Sequence, residues 1–393
     1  MLTPGTILGL LVIVSPALAK PPTKAQRAFR AGVAAYSVVK FKAASQSFGE
    51  ALELAPEWKV PFGFRALCRW TSGDARGARE DALAASRLRP ASAEQFVARG
   101  MARYVLQDLP GAREDYQQAV RLNPSYALAY YGLGSALSSQ GNAQEALEPL
   151  DKAVQLAPDS AVIRIVRGTV KDKLKQFRSA IDDYTKVIEI NSRFAWARLY
   201  RGRDLREIQE CRRATDDFTQ FLKSYGPHEE ALYLRANCYS IGGDPASAIK
   251  DLDRVLQLNP NRGLAWSNRG LAKNIIGDKS GALADLRKAL ELQPDKSEKI
   301  QQAIDAIEGS AKEPERVPSD VRIEPARRRE SSDEAPLQAL PAPPPEEAAP
   351  ERSGPLPSRR GTDVPDVAAP EAGKKAPAKH EKVQDADSTP FIE

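Results

Sequence analysis

The sequence predicts an all-α solenoid of stacked helix pairs. Written in lines of 34 residues from Ala25, the chain falls into eight registers without an insertion or deletion. Position 20 of every line is alanine, and position 8 is always glycine or alanine. Apolar and small residues recur at helical spacing within a line, as Phe96, Gly100 and Tyr104 illustrate. A period of this length indicates helical units that bury their faces by stacking on one another.

Each line divides into two helices, A and B, around a central turn. In four lines a Gly-Asp or Gly-Asn step marks the turn, beginning at Gly73, Gly141, Gly243 and Gly277. Small residues at positions 8 and 20 allow the two backbones to approach, and bulky residues at positions 4 and 24 fill the space beside them. Proline at position 32 ends helix B in six of the lines.

This pattern closely resembles the tetratricopeptide repeat family, with its small residues at positions 8 and 20, aromatics at 4 and 24, and proline at 32. The resemblance covers residues 25–296 and implies a right-handed α-solenoid with a concave groove, usually a non-enzymatic scaffold that binds other proteins or peptides. Repeats 1 to 8 span 25–58, 59–92, 93–126, 127–160, 161–194, 195–228, 229–262 and 263–296. Repeats 5 and 6 depart from the family pattern, because Arg164 and Arg198 replace the position-4 aromatic and proline is missing at position 32. Looser packing is expected there.

The two ends of the chain differ from the repeats. Residues 1–19 carry an apolar run that ends in Ala17-Leu18-Ala19, which predicts a cleaved signal peptide and an exported protein, with an uncleaved anchor as the alternative. Residues 20–24 are interpreted as a linker, and 297–309 as a capping helix with Asp295 and Glu298 in a capping box. Residues 310–393 are rich in proline and charge and predict a disordered tail.

Arginine at position 7 poses a question, because helical spacing places it at the core. Position 23, on helix B, is aspartate in the same six repeats, and the two repeats without the arginine also lack the aspartate. A buried charge needs a partner, so this pattern predicts a structural ion pair within each of these repeats. The predicted pairs are Arg65–Asp81, Arg99–Asp115, Arg167–Asp183, Arg201–Asp217, Arg235–Asp251 and Arg269–Asp285.

Positions 2, 5, 9 and 12 share one face of helix A. In the family this face lines the groove, and here it forms a long apolar and aromatic strip, which we interpret as an exposed partner site. The alternative is that the strip packs within the superhelix against the signal-proximal segment or against the proline-rich tail. The predicted groove residues are Phe29, Val33, Tyr36, Leu67, Trp70, Val97, Met101, Tyr104, Tyr131, Trp196, Leu199 and Tyr233. The resemblance does not extend to a clamp for a terminal carboxylate, since Asn237 and Asn268 stand without the family's lysines.

Little in the sequence points to catalysis, a metal or a cofactor, and none is predicted. Neither His228 nor His380 has metal-ligand spacing with other candidates. The three cysteines are interpreted as small hydrophobic residues, with a Cys211–Cys238 disulfide as the alternative. Nucleic acid is not an expected partner, because a net charge of +5 is modest for this length. The rival functions are a self-assembling component of an envelope or secretion complex and, less favoured, a polyanion binder. The oligomeric state and the partner's identity stay open.

Overall fold

A computed structural model of the chain describes residues 21–293 and 297–309. They form seventeen α-helices and no strand. The signal peptide predicted at 1–19, Pro294 and Asp295, and the tail predicted at 310–393 lie outside the described residues.

Sixteen of the helices make eight A–B pairs, one for each repeat, and the seventeenth closes the stack. The bounds are α1 Thr23–Ser37, α2 Phe41–Leu54, α3 Val60–Thr71, α4 Ala75–Ser86, α5 Ala93–Val105, α6 Leu109–Leu122, α7 Ala127–Ser139, α8 Ala143–Leu156, α9 Ala161–Lys173, α10 Phe177–Ile190, α11 Trp196–Glu207, α12 Cys211–Tyr225, α13 Glu229–Ile241, α14 Pro245–Leu258, α15 Gly263–Ile275, α16 Lys279–Leu292 and α17 Ser297–Gly309. The predicted α-solenoid is confirmed. Helix α1 begins at Thr23, inside the segment interpreted as a linker.

The helices of a pair pack through the small residue at position 8 and the bulky residue at position 24. A Cβ atom added to Gly100 would lie 2.8 Å from the ring of Tyr116, and one added to Gly168 would lie 2.8 Å from Tyr184. Both tyrosines are buried. The glycines therefore provide the room that the aromatic rings on helix B occupy.

Position 15 has a positive φ in all eight A–B turns. Four of these residues are the glycines that mark the turn in the sequence, and the other four are Val39, Gln107, Lys175 and Gln209. The left-handed conformation is costly for side chains other than glycine. The turn geometry therefore recurs even where the sequence gives no turn signal.

Neighbouring repeats stack with each B helix against the next A helix, and the A helices also meet one another. Helices α3 and α5 approach closely, because a Cβ atom added to Gly63 would lie 2.0 Å from the carbonyl oxygen of Ala98. Only glycine fits at this position.

Helix α17 covers the end of the stack. Ile300, Ile304 and Ile307 are buried in one apolar cluster with Leu286 and Ala289 of α16, while the other face of α17 is exposed. The helix thus shields the last repeat from solvent, as a solenoid requires at its end.

Candidate binding surface

Each arginine at position 7 is fixed by the aspartate at position 23 of its own repeat. The guanidinium donates two hydrogen bonds to the two carboxylate oxygens, with Nε and Nη2 lying 2.5 to 2.9 Å from them in the six repeats. All six aspartates are buried. This bidentate geometry is specific to arginine, and it explains why a charge is tolerated at a position that faces the core.

Several of these aspartates hold a second cation. Position 11 supplies Arg69, Arg103, Lys171 and Lys273, whose side chains lie 2.8 to 3.1 Å from the aspartates of repeats 2, 3, 5 and 8. In repeats 5 and 6, Arg164 and Arg198 lie 3.3 Å from Asp183 and 3.8 Å from Asp217. The arginines that replace the position-4 aromatics therefore join the ion-pair networks of their repeats.

The same arginines also connect neighbouring repeats. Nη1 of Arg167 lies 2.8 Å from Asp151, and Nη1 of Arg269 lies 2.7 Å from Asp253. Nη1 of Arg235 donates to the hydroxyl of Thr219 at 3.0 Å. The charges of the position-7 arginines are thus compensated within the solenoid. These residues therefore do not form a free basic surface for a polyanion.

The predicted apolar strip is not an exposed surface, and that part of the prediction is wrong. Ten of its twelve residues are buried and two are half-buried. The buried ones are Phe29, Tyr36, Leu67, Val97, Met101, Tyr104, Tyr131, Trp196, Leu199 and Tyr233, and the half-buried ones are Val33 and Trp70.

The part of the strip in repeats 1–5 is buried because the first repeat closes onto the middle of the solenoid. The hydroxyls of Tyr36 in repeat 1 and Tyr131 in repeat 4 lie 2.8 Å apart, although 95 residues separate them. The side-chain amide of Asn191 donates to the carbonyl oxygen of Val38 at 2.9 Å, and α1 contacts α9. The inner curve of repeats 1–5 is therefore filled by its own side chains.

At positions 9 and 12, the inner face of repeats 6–8 is more accessible than that of repeats 1–5. In each of repeats 1–5 at least one residue at position 9 or 12 is buried. In repeats 6–8 all six are half-buried, namely Arg203, Arg206, Asn237, Ser240, Leu271 and Asn274. The more accessible part of the inner face therefore lies toward the C-terminal end of the solenoid.

Three isoleucines extend this face at the ends of α13 and α15. Ile241 and Ile275 occupy position 13, four residues after position 9 on the same side of the helix, and Ile276 follows directly. Their exposed fractions are 50%, 57% and 54%. The predicted strip does not include them, because it runs only through positions 2, 5, 9 and 12. We call Ile241, Ile275 and Ile276 the isoleucine patch.

Polar groups accompany the isoleucine patch. The side-chain amide of Asn268 donates to Oδ1 of Asn237 at 2.9 Å and to the hydroxyl of Tyr233 at 3.2 Å. These bonds use Nδ2 of Asn268 and Oδ1 of Asn237, so within the described residues the amide group of Asn237 and the carbonyl oxygen of Asn268 are left for other hydrogen bonds. Such groups suit the backbone of an extended segment.

A pair of buried carboxyl groups lies where repeats 5 and 6 meet. Burial and the neighbouring carboxylate of Asp172 raise the pKa of Asp204 from its ordinary value of 3.8 to about 9. Nη2 of Arg203 lies 2.8 Å from Oδ2 of Asp172 and balances one of the two charges. The other carboxyl, that of Asp204, accordingly holds a proton at neutral pH.

A metal site is not found within the described ranges, since they hold no group of three histidine, cysteine or acidic side chains placed to bind an ion. His228 instead caps α13, with Nδ1 accepting a hydrogen bond from the backbone N–H of Ala231 at 3.4 Å. Within the same ranges, every helix is too short or too polar to cross a membrane.

Three family models described as tetratricopeptide repeat match residues 97–161, 229–262 and 264–296. The comparison with curated proteins found no match. Among solved structures, a crystal structure of the APC/C hetero-tetramer Cut9–Hcn1 is similar, with 14% identity over 70% of this chain and 54% of that one and a TM-score of 0.54. The chain thus spans about half the length of that relative, and at this identity the likeness concerns the fold alone.

Two further structures are similar over a smaller part of this chain. YrrB, described as a TPR protein with an unusual peptide-binding site, is 22% identical over 49% of this chain and 98% of its own, with a TM-score of 0.46. PilF of Pseudomonas aeruginosa is 18% identical over 60% of this chain and 92% of its own, with a TM-score of 0.40.

Proposed function

The chain belongs to the tetratricopeptide repeat family, and from this premise we propose that it is a non-enzymatic scaffold that binds a segment of a partner protein on the inner face of repeats 6–8. The family and the fold are typical of protein-interaction scaffolds without catalytic activity. The contrast in accessibility between the two parts of the inner face carries the proposal.

The chemistry of this face favours a peptide or helical segment of a protein. Exposed isoleucines contribute apolar area that a partner can bury, and partly buried amides contribute directional hydrogen bonds. Because stacked helices hold both sets of groups in place before binding, little conformational entropy is lost when the partner docks.

Site-specific crosslinking in the native cell tests the proposal. A photoreactive amino acid replaces Ile275 in one variant and Leu122 in another. Leu122 is the matched control, because it is 55% exposed and lies at the end of the B helix α6. We expect the Ile275 position to yield a discrete crosslinked partner, and the additional change Ile241→Ser to weaken that product at least severalfold.

Two results would contradict the proposal. Equal crosslinking from both positions would mean that the isoleucine patch is no more than ordinary surface. Crosslinks to further copies of this chain alone would favour the self-assembling component instead.

We also propose that the protein is exported, on the strength of the apolar run and the Ala17-Leu18-Ala19 pattern in residues 1–19. The intact mass of the native protein tests this, because cleavage after Ala19 leaves a chain that begins at Lys20. A full-length chain confined to the cytoplasm would refute it.

A further inference from the structure

Two of the three cysteines meet where repeat 6 joins repeat 7. Cys211 is the first residue of α12 and Cys238 lies on α13. Both are buried, and the thiol of Cys238 interacts with the side chains of Cys211 and Thr215. The remaining cysteine, Cys68, is buried in α3 in the second repeat.

The surroundings of this pair are not uniformly apolar. Burial raises the pKa of Cys238, but the nearby guanidinium of Arg206 and the hydrogen bond with Thr215 oppose that rise. Cys211 is the more exposed of the two, since it is the first residue of α12 whereas Cys238 lies within α13. Cys211 is therefore the thiol that an oxidant meets first.

We propose that Cys211 and Cys238 are an oxidation site, at which an intramolecular disulfide joins helix B of repeat 6 to helix A of repeat 7. The two side chains interact although 26 residues lie between them in the chain, and they belong to helices that pack directly on each other.

The oxidant is a disulfide compound, either a small molecule or a protein. The Cys211 thiolate attacks one sulfur of that disulfide and forms a mixed disulfide, while the other oxidant sulfur leaves as a thiol. Cys238 then loses its proton and attacks the sulfur of Cys211, and the second oxidant thiol leaves. The two cysteines together lose two electrons and two protons, and the oxidant is reduced to two thiols.

The disulfide has a consequence for binding, and this part rests on the proposed function. Cys238 follows Asn237 directly and lies one helical turn before Ile241. A covalent bond to α12 would restrain α13. It would thereby hold the hydrogen-bonded amides of Asn237 and Asn268 and the isoleucine patch in position. The oxidised protein should then capture its partner more tightly than the reduced protein.

Refolding of the full-length chain in a mixture of oxidised and reduced glutathione tests the disulfide itself. Refolding exposes every thiol to the oxidant, so burial in the folded protein cannot prevent the reaction. Free thiols are then alkylated in denaturant and counted by mass spectrometry. We expect one alkylated thiol, that of Cys68, and a peptide linked through Cys211 and Cys238, where fully reduced protein shows all three thiols alkylated.

The variants make the assignment specific. Cys68→Ser should still form the link, whereas Cys211→Ser and Cys238→Ser should not. Oxidised wild-type protein should melt a few degrees higher than Cys211→Ser. Three free thiols after refolding, a trapped mixed disulfide without closure, or a link to Cys68 would each overturn the proposal. Since this assay requires no partner, its failure is separate from a failure of the crosslinking experiment at Ile275.

Discussion

Repeats 1–5 and repeats 6–8 share one helix-pair design but use their inner faces in opposite ways. In repeats 1–3, positions 9 and 12 of the A helices carry aromatic and apolar side chains, and Tyr36 reaches Tyr131 of repeat 4 across the curve. In repeats 6–8 the same positions carry Arg203, Asn237 and Asn274, all half-buried. A repeat pattern therefore specifies the structure of one helix pair, whereas the accessibility of its inner face depends on which residues lie opposite it.

Close approach of backbones is one cause of this difference. At Gly63 the second A helix lies against the backbone of the third, and the N-terminal part of the solenoid curls until α1 meets α9. No glycine makes an equally close approach to a neighbouring backbone at the inner face of repeats 6–8. A side-chain atom added at a close contact between A helices of the N-terminal part should therefore lower stability more than one added elsewhere.

The largest expected effect is that of Gly63→Ala. The new Cβ would lie 2.0 Å from the carbonyl oxygen of Ala98, a backbone atom that cannot move without shifting α5. Overpacking of this kind should lower the free energy of unfolding by about 3 kcal/mol, as measured by denaturant titration.

Gly49→Ala is the matched control, because its new Cβ would lie 3.5 Å from its nearest neighbour, a side-chain nitrogen of Arg65. There the better helix propensity of alanine should stabilise the protein by about 1 kcal/mol. Losses of similar size in both variants would mean that close backbone contact does not set the curvature of repeats 1–5.

The ion pairs provide a second contrast, between Arg235→Ala and Arg99→Ala. Asp115 keeps a second cation when Arg99 is removed, since Nη1 of Arg103 lies 3.1 Å away. Asp251 has Arg235 as its sole ion-pair partner within the described part of the chain. We expect Arg235→Ala to cost about 3 kcal/mol of stability, and Arg99→Ala clearly less, because an uncompensated buried charge is the larger penalty.

Double variants separate charge from packing. Removing Asp251 together with Arg235 should restore part of the loss, because no buried charge is then left unpaired. Thermal or denaturant melts of the two single variants and the double variant measure this coupling. Strictly additive losses would refute a compensated buried pair.

The carboxyl pair at the boundary between the two parts predicts a dependence on pH. The pKa of Asp204 is about 9 in the folded protein and 3.8 for an ordinary aspartate, because of burial first and Asp172 second. The folded state therefore keeps a proton that the unfolded state has lost. This contribution to stability is fully present below about pH 4. It decreases as pH rises toward 9, by at most about 1.4 kcal/mol per pH unit.

Asp204→Asn should reduce this slope, since an amide does not titrate. Asp172→Asn should reduce it part of the way, because the neighbouring carboxylate is the second cause of the shift and Arg203 also faces the pair. Unfolding free energies measured between pH 5 and pH 9 test both statements. A slope in Asp204→Asn equal to that of the wild type would show that this carboxyl does not titrate as described.

The repeats were predictable from the sequence because their constraints are local. Alanine at position 20 and the Arg–Asp pairs reflect contacts between two helices of one repeat, and such contacts recur with the period. The closure of repeat 1 onto the middle of the solenoid has no periodic signature in the sequence. It results from small rotations between successive repeats and depends on single residues such as Gly63. The exposure of Phe29, Met101 and Tyr131 could therefore not be judged from helical spacing, and the isoleucine patch was missed.

The smallest expected effect tests the closure itself, at the hydroxyls of Tyr36 and Tyr131. Both side chains are buried, so Tyr36→Phe leaves the Tyr131 hydroxyl without its partner and should cost about 1 kcal/mol. Replacing both tyrosines by phenylalanine should cost less than the two single losses added together, because no buried hydroxyl then stays unpaired. Hydrogen exchange should quicken first in α1, which the bond holds against the middle of the solenoid, and not in α13 or α15. Faster exchange spread evenly over all eight repeats would mean that the first repeat does not close the inner curve.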